Sequence, residues 1–280
     1  MQRKAERHGM HSPLIVTVAP NGAYKTKAQH PQVPLTAQEL AQTAKACLDA
    51  GAAMIHAHVR QADGKHLLDA HAYREATAAI RQAVGQELVV QITTEAAQVY
   101  QPHVQMQVAR EVTPEAVSVG LREIVKPEVS EAEIEAFFTW LKNSNVMTQI
   151  ILYDVADVQT WQRLRAQGVI PDNRWFLLFV LGRYAVGQTS SPTDLLPFLA
   201  ADDGAYPWAM CAFGPQENAC AMAAASLGGH ARVGFENNLF LKDGSHAPDN
   251  AALVAQVAQG AQALGRPLAC ADDVRRLFLN

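Results

Sequence analysis

From one end to the other the chain alternates short β-rich apolar runs with longer amphipathic stretches, and this alternation sharply limits the folds open to it. Strand-like runs occupy 14–20 (LIVTVAP), 53–58 (AMIHAH), 88–94 (LVVQITT), 116–119 (AVSV), 146–153 (VMTQIILY), 175–181 (WFLLFVL), 208–212 (WAMCA) and 231–236 (ARVGFE). Their β-branched and aromatic content suits a pleated, buried surface. Between them, apolar residues recur at helical spacing over 36–50, 70–84, 131–141, 158–167, 216–227 and 250–264, and more weakly over 104–111 and 193–200. Thr36, Asp69 and Ser130 stand where helix N-caps belong, and Gly51, Gly85 and Gly168 where left-handed terminators belong.

Eight β/α units in about 250 residues predict a (β/α)8 TIM barrel of the α/β class. A doubly wound open sheet is the alternative. Its dinucleotide-binding form is disfavoured because the first strand-to-helix turn reads Ala19-Pro20-Asn21-Gly22-Ala23-Tyr24 and not GxGxxG. No linker, low-complexity run or longer repeat divides the chain. A single domain is therefore expected over residues 1–280, with a short N-terminal extension at 1–12.

Composition narrows the function. Hydrophobic residues make up 49% of the 280 and charged residues 18%, enough to bury a large core. Lys and Arg number 23 against 27 Asp and Glu, so the excess of positive charge that phosphate-backbone binding needs is missing, and nucleic acid is not an expected partner. The charged start runs into an apolar stretch too short for a membrane span and without a signal-peptide cleavage pattern, so a soluble cytoplasmic protein is expected. Cys47, Cys211, Cys220 and Cys270 form no CxxC pair and read as reduced thiols in or beside the core.

The residues that can carry chemistry cluster at predicted strand ends. His56 and His58 lie two apart on one strand, so both imidazoles face the same way and can aim at one point at the C-terminal mouth of a barrel. Two histidines alone hold a catalytic metal weakly, and a third ligand is needed. Glu236 ends the last predicted strand, with Arg232 four residues earlier on the same face. Barrel closure brings the eighth strand beside the first and close to the second, so Glu236 can complete a His2Glu site with an open position. Equally, Arg232 and Glu236 can form a buried ion pair that fills the mouth, and the histidine pair can be simply packed. His30-Pro31 and Pro34-Leu35-Thr36 read as turn-shaping; His66, His71 and His103 read as solvated; His230 reads as structural.

The segments VTVAPNGA (16–23), HPQVPLTAQELA (30–41), AGAAMIHAHVRQADGKHLLD (50–69), FVLGRYAVG (179–187) and GGHARVGFENNLFLKDGSHAPDNAALV (228–254) follow in order across nearly the whole chain. In these segments the chain resembles the β-keto acid cleavage enzymes. The resemblance implies a barrel enzyme that uses Zn2+, or another divalent metal, to react a β-keto acid with acetyl-CoA by a retro-Claisen route, yielding acetoacetate and a new acyl-CoA. It implies His56, His58 and Glu236 as metal ligands and Arg232 as the arginine that orients the carboxylate or works with the catalytic acid. Thr93 and Ser118 would be the site hydroxyls, with Thr94 the alternative if the register shifts. Asn21, Tyr24 and Arg183 would contact substrate; Arg183 and the loop 213–216, which opens a helix, are candidates to receive the CoA arm, with an ordinary glycine turn the equal alternative for that loop. A homo-oligomer, a tetramer, is also implied.

Three departures accompany the resemblance. Asn237 stands where the family usually carries Asp, and an amide cannot accept a proton as a carboxylate does. The family's acid on the fifth strand has no counterpart in Gln149-Ile150-Ile151-Leu152-Tyr153-Asp154. Tyr24 follows Gly22-Ala23 where the amino-substrate enzyme has an acidic residue, so a cationic β-keto acid is not the expected substrate. Two other functions remain open: a metal-dependent hydrolase or lyase on the same barrel, and a barrel that binds a metal or ligand without catalysis.

Overall fold

A computed structural model describes residues 12–280. Its strands are β1 (Val16–Val18), β2 (Met54–Ala57), β3 (Val59–Arg60), β4 (His66–Leu67), β5 (Val89–Thr93), β6 (Ala116–Gly120), β7 (Met147–Leu152), β8 (Phe176–Leu181), β9 (Trp208–Ala212) and β10 (His230–Val233). All but β3 and β4 pair in parallel around a closed barrel in the order β1-β10-β9-β8-β7-β6-β5-β2. β3 and β4 form a small antiparallel ribbon directly after β2. The (β/α)8 expectation holds, and the open-sheet alternative does not.

The helices are α1 (Ala37–Ala50), α2 (Ala70–Val84), α3 (Pro102–Val112), α4 (Leu121–Ile124), α5 (Glu131–Asn143), α6 (Val155–Ala166), α7 (Leu196–Ala201), α8 (Glu217–Ser226), α9 (Asn250–Ala263) and α10 (Ala271–Phe278). Thr36 and Ser130 close capping boxes with Glu39 and Glu133, and Asp69 accepts the Ala72 N–H. Gly51, Gly85 and Gly168 all take positive φ. No helix among the described residues is long and apolar enough to cross a membrane.

Several boundaries differ from expectation for local reasons. α6 begins at Val155 because Asp154 caps it, accepting the Asp157 N–H at 2.9 Å. The 193–200 stretch divides into a 3-10 turn, Pro192–Leu195, and α7, because Pro197 has no N–H with which to continue the ladder. The last strand stops at Val233: the Gly234 N–H turns to a carboxylate oxygen of Glu217 at 3.1 Å, and Gly234 adopts φ +141°. Glu236 therefore sits in a turn beyond the strand. Cys47, Cys211 and Cys220 are buried as expected, but Cys270 is exposed at the start of α10.

Alternation along the strands splits the core in two. Ile15, Met54, Val89, Ala116, Met147, Phe176 and Leu178 fill the barrel, while Val16, Val18, Ile55, Val90 and Val117 face the helices. Trp161 and Tyr73 are fully buried in the outer layer. α10 closes the N-terminal end, with Phe278 stacked on Phe176 at 4.5 Å, and His230 accepts the Ile15 N–H there at 3.0 Å. With that end sealed by apolar contact, the inward polar residues His56, Gln91, Thr93, Ser118, Gln149 and Arg232 are left toward the opposite mouth.

Candidate active site

The ring nitrogens Nε2 of His56 and His58 approach to 3.1 Å. Glu236 lies 3.3 Å from His58 Nε2 through Oε1 and 3.8 Å from His56 Nε2 through Oε2. Three ligand-type atoms, one from each residue, fall within 4.8 Å of one another. A tetrahedral ion with bonds of about 2.0–2.1 Å spaces its ligand atoms roughly 3.3–3.4 Å apart, a spacing that the 3.1 and 3.3 Å contacts approach and the 3.8 Å contact exceeds, so a small rotation of the Glu236 carboxylate brings the donor set onto a divalent metal.

The surrounding hydrogen bonds prepare that set. His56 Nδ1 lies 2.7 Å from Gln91 Oε1, an atom that can only accept, which puts the proton on Nδ1 and the lone pair on Nε2. Gln91 in turn donates to Gln149 Oε1 at 3.3 Å. His66 contradicts the solvated reading: it is buried, its Nε2 donates to the Glu95 carbonyl at 2.8 Å, and its Nδ1 lies 3.5 Å from His58 Nδ1. Burial and the neighbouring His58 push His66 down to about 3, so its neutral Nδ1 accepts from His58 and leaves His58 Nε2 free for a metal. Burial, with Arg232 next, holds His56 well below the usual imidazole range. Burial alone would raise Glu236, but the Arg232 guanidinium beside it holds its carboxyl well below the usual range. Two lone pairs and a carboxylate thus converge, with Glu236 Oε2 lacking a hydrogen-bond partner.

Buried polar anchors fix the turn that carries Glu236. Glu217 accepts from Gly234 N–H and, at 3.2 Å, from Asn238 Nδ2. Asn250 accepts the Phe235 N–H at 2.8 Å and donates to the Pro20 carbonyl. Asn21 lines the cavity over the triad, and its amide clamps the His58 N–H and carbonyl and the Pro34 carbonyl. Arg60 forks onto the carbonyls of Asn21, Gly22, Lys25 and Gly64 and holds the first loop in place.

Above the triad opens a cavity of about 420 Å³, lined by residues that include Tyr24, Lys25, Glu95, Arg183, Arg232, Glu236 and Asn237. Arg232 reaches Glu236 at 3.6 Å, so the ion pair and the cluster of His56, His58 and Glu236 occur together, while its Nε and one terminal nitrogen have no hydrogen-bond partner among the described residues. Both polar atoms of the Asn237 amide are likewise unpartnered. Thr93 and Ser118 face inward with their hydroxyls 3.4 Å apart, whereas Thr94 turns its hydroxyl to the Ser118 carbonyl. Arg183 lies over the Tyr24 ring at 5.2 Å and the Phe213 ring at 5.6 Å.

Glu95 was not among the expected site residues. It follows Thr93 by two positions, and its carboxylate sits 3.7 Å from His58 Nε2 and 3.7 Å from Arg183. Burial raises its carboxyl above the usual range. Glu123 steadies its loop by accepting from the Ala96 N–H and from Gln105. The signal was present in the sequence: an inward Thr at a strand end followed at i+2 by an acid continues the inward face into the mouth.

Comparison with known proteins identifies the framework. The beta-keto acid cleavage enzyme family matches residues 13–279. The chain belongs to that family. It is 32% identical over 274 residues to the 3-keto-5-aminohexanoate cleavage enzyme of Fusobacterium nucleatum subsp. nucleatum, covering 96% of this chain and 98% of that one. It is 27% identical over 289 residues to the 3-oxoadipate:acetyl-CoA acetyltransferase of Cupriavidus necator, covering 96% and 95%. Among solved structures, the apo structure of ObcA matches with a TM-score of 0.70 at 14% identity, over 89% of this chain and 65% of that one. This member of the family carries an amide at 237 and a carboxylate at 95 beside the three ligand-type residues.

Proposed function

We propose that the protein is a zinc-dependent acyltransferase that reacts a β-keto acid with acetyl-CoA to give acetoacetate and a new acyl-CoA. The observation that carries this reading is the convergence of His56, His58 and Glu236 beside an under-bonded Arg232, in a chain that belongs to a family of β-keto acid cleavage enzymes. The relatives named as acetyl-CoA-dependent transferases support acetyl-CoA as the second substrate. The homotetramer and the cytoplasmic location belong to the same proposal.

A divalent ion held by His56, His58 and Glu236 would supply Lewis-acid stabilisation of developing oxygen charge. Arg232 offers its free N–H groups to the substrate carboxylate and cannot serve as base, being permanently protonated. Asn237 cannot take the C2 proton either. Of the carboxylates lining the cavity only Glu95 is not a proposed ligand, and it receives the C2 proton. The resulting C2 carbanion attacks the acetyl thioester carbon, forming a C–C bond and expelling the CoA thiolate. That thiolate then attacks the original keto carbon, and the bond from it to C2 breaks, releasing acyl-CoA and the acetoacetate enolate. Glu95 returns its proton to C2. The Thr93 and Ser118 hydroxyls and the Asn237 amide donate to oxygens that gain charge along this route.

The test uses zinc-loaded protein, acetyl-CoA labelled with 13C in both acetyl carbons, and a panel of β-keto acids read by mass spectrometry. Acetoacetate labelled at C3 and C4 is expected, lost in His58→Ala. Product formed without CoA, or label appearing as free acetate alone, would replace this reading with the hydrolase or lyase one.

A further inference from the structure

The cavity holds one cation that none of its own groups meets in a hydrogen bond or close ion pair, the Glu236 carboxylate acting on it only from a distance. Arg232 is matched by Glu236 at 3.6 Å and Arg183 by Glu95 at 3.7 Å. Lys25 is half-buried and lines the same space, yet its ammonium makes no hydrogen bond or ion pair among the described residues. Its position is not left to chance. The Lys25 carbonyl is gripped by Arg60 at 2.9 Å, and the adjoining Tyr24 ring lies under the Arg183 guanidinium. Lys25, Tyr24 and Arg183 therefore form one wall, and the remaining polar lining there, Gln29, Gln98 and Gln188, is neutral.

Counting the lining groups, three cations (Lys25, Arg183, Arg232) face two carboxylates (Glu95, Glu236), an excess of one positive charge before any metal adds its own. The carboxylate of a β-keto acid is used at Arg232, and the thioester end of acetyl-CoA is neutral. A partly desolvated ammonium without a partner is unfavourable unless a ligand supplies the anion. We propose that the distal end of the substrate carries a second carboxylate, received by Lys25 with Arg183, so that the preferred substrate is a β-keto diacid. The inference rests on the acyltransferase reading for its chemistry and on Lys25 for its specificity. A CoA phosphate could supply the same negative charge, and the experiment separates the two sources.

Three six-carbon probes differ at the distal end: 3-oxoadipate, 3-oxohexanoate and 5-amino-3-oxohexanoate. Binding of each is measured by calorimetry without acetyl-CoA, and kcat/KM with it, for the full-length protein and for Lys25→Met and Lys25→Glu. The diacid should bind roughly tenfold more tightly than the neutral acid. That ratio should fall to about one in Lys25→Met and shift toward the amino acid in Lys25→Glu. An unchanged ratio in Lys25→Met overturns the inference, as does a rise confined to the KM for acetyl-CoA, which would assign Lys25 to a CoA phosphate. A lysine-dependent diacid advantage in binding supports it even if no probe is turned over, in which case the acyltransferase reading alone fails.

Discussion

Gly22 lies directly behind Glu236, the proposed carboxylate ligand, and replacing it with Ala tests whether the first loop sets the geometry of the proposed metal site. A Cβ at position 22 would meet Glu236 Cγ at 2.7 Å, Cβ at 3.2 Å and Cδ at 3.3 Å. Carbon atoms pack at about 3.5–4.0 Å, so Glu236 would have to withdraw by roughly 0.8 Å. Metal–ligand distances tolerate about 0.2 Å, so a shift of that size detaches the ligand or forces the turn to move. The turn is pinned by Glu217 and Asn250 and resists moving. Gly22 also sits at φ +60°, where an alanine costs about 1–2 kcal/mol, equivalent to a loss of roughly 2–8 °C in Tm. Competition for zinc against a chromophoric chelator should therefore show affinity down by about 10- to 100-fold, with the protein still folded. Zinc affinity within twofold of the parent, at the same lowered Tm, would refute the claim that this loop positions Glu236.

Gln91→Leu removes the acceptor that orients His56, and the same chelator competition should show a fall in zinc affinity of about tenfold. Glu217 has its carboxyl raised by burial to about 8, so between the ordinary value and about 8 the folded state keeps a proton that the unfolded chain has lost. Stability should then decline as pH rises through that window, by at most about 1.4 kcal/mol per pH unit. In metal-free protein, Glu217→Gln should flatten this slope in urea titrations at pH 5 to 8, and an identical slope in both proteins would contradict the assignment. Glu95→Gln should lower kcat by about 10²-fold or more while zinc content by mass spectrometry stays at one per chain. Adding Asn237→Asp to that variant should restore at least tenfold of the rate; a double variant no faster than Glu95→Gln would mean that the proton passes elsewhere.

The barrel was legible from the chain because its two periodicities are local. Strand runs such as 175–181 are apolar on both faces since one face fills the barrel and the other meets helices, and Thr36, Asp69 and Ser130 announce their helices with side chains that act within one turn. The His56–His58 pair was legible for the same reason: a two-residue period puts both rings on one face wherever the strand ends up. Glu236 could be paired with them because closure of eight strands brings the last one beside the first.

The electrostatics of the site were not written locally. His66 looks like a loop histidine in sequence, and only the β3–β4 ribbon folds it against His58, where burial removes its charge and turns it into an acceptor. Asn21 lines the mouth, as its place in the sequence suggests, but only the folded loop shows that its amide also grips the backbone of His58. Glu95 and Lys25 are ordinary surface types until the barrel gathers them over one cavity, one matched by Arg183 and the other left unmatched. Sequence alone therefore determined the elements and the faces they bury, because those depend on period and neighbours within a few residues. Charge balance, tautomers and the exact aim of Glu236 depend on contacts between residues as far as 230 positions apart, and only the closed barrel decided them.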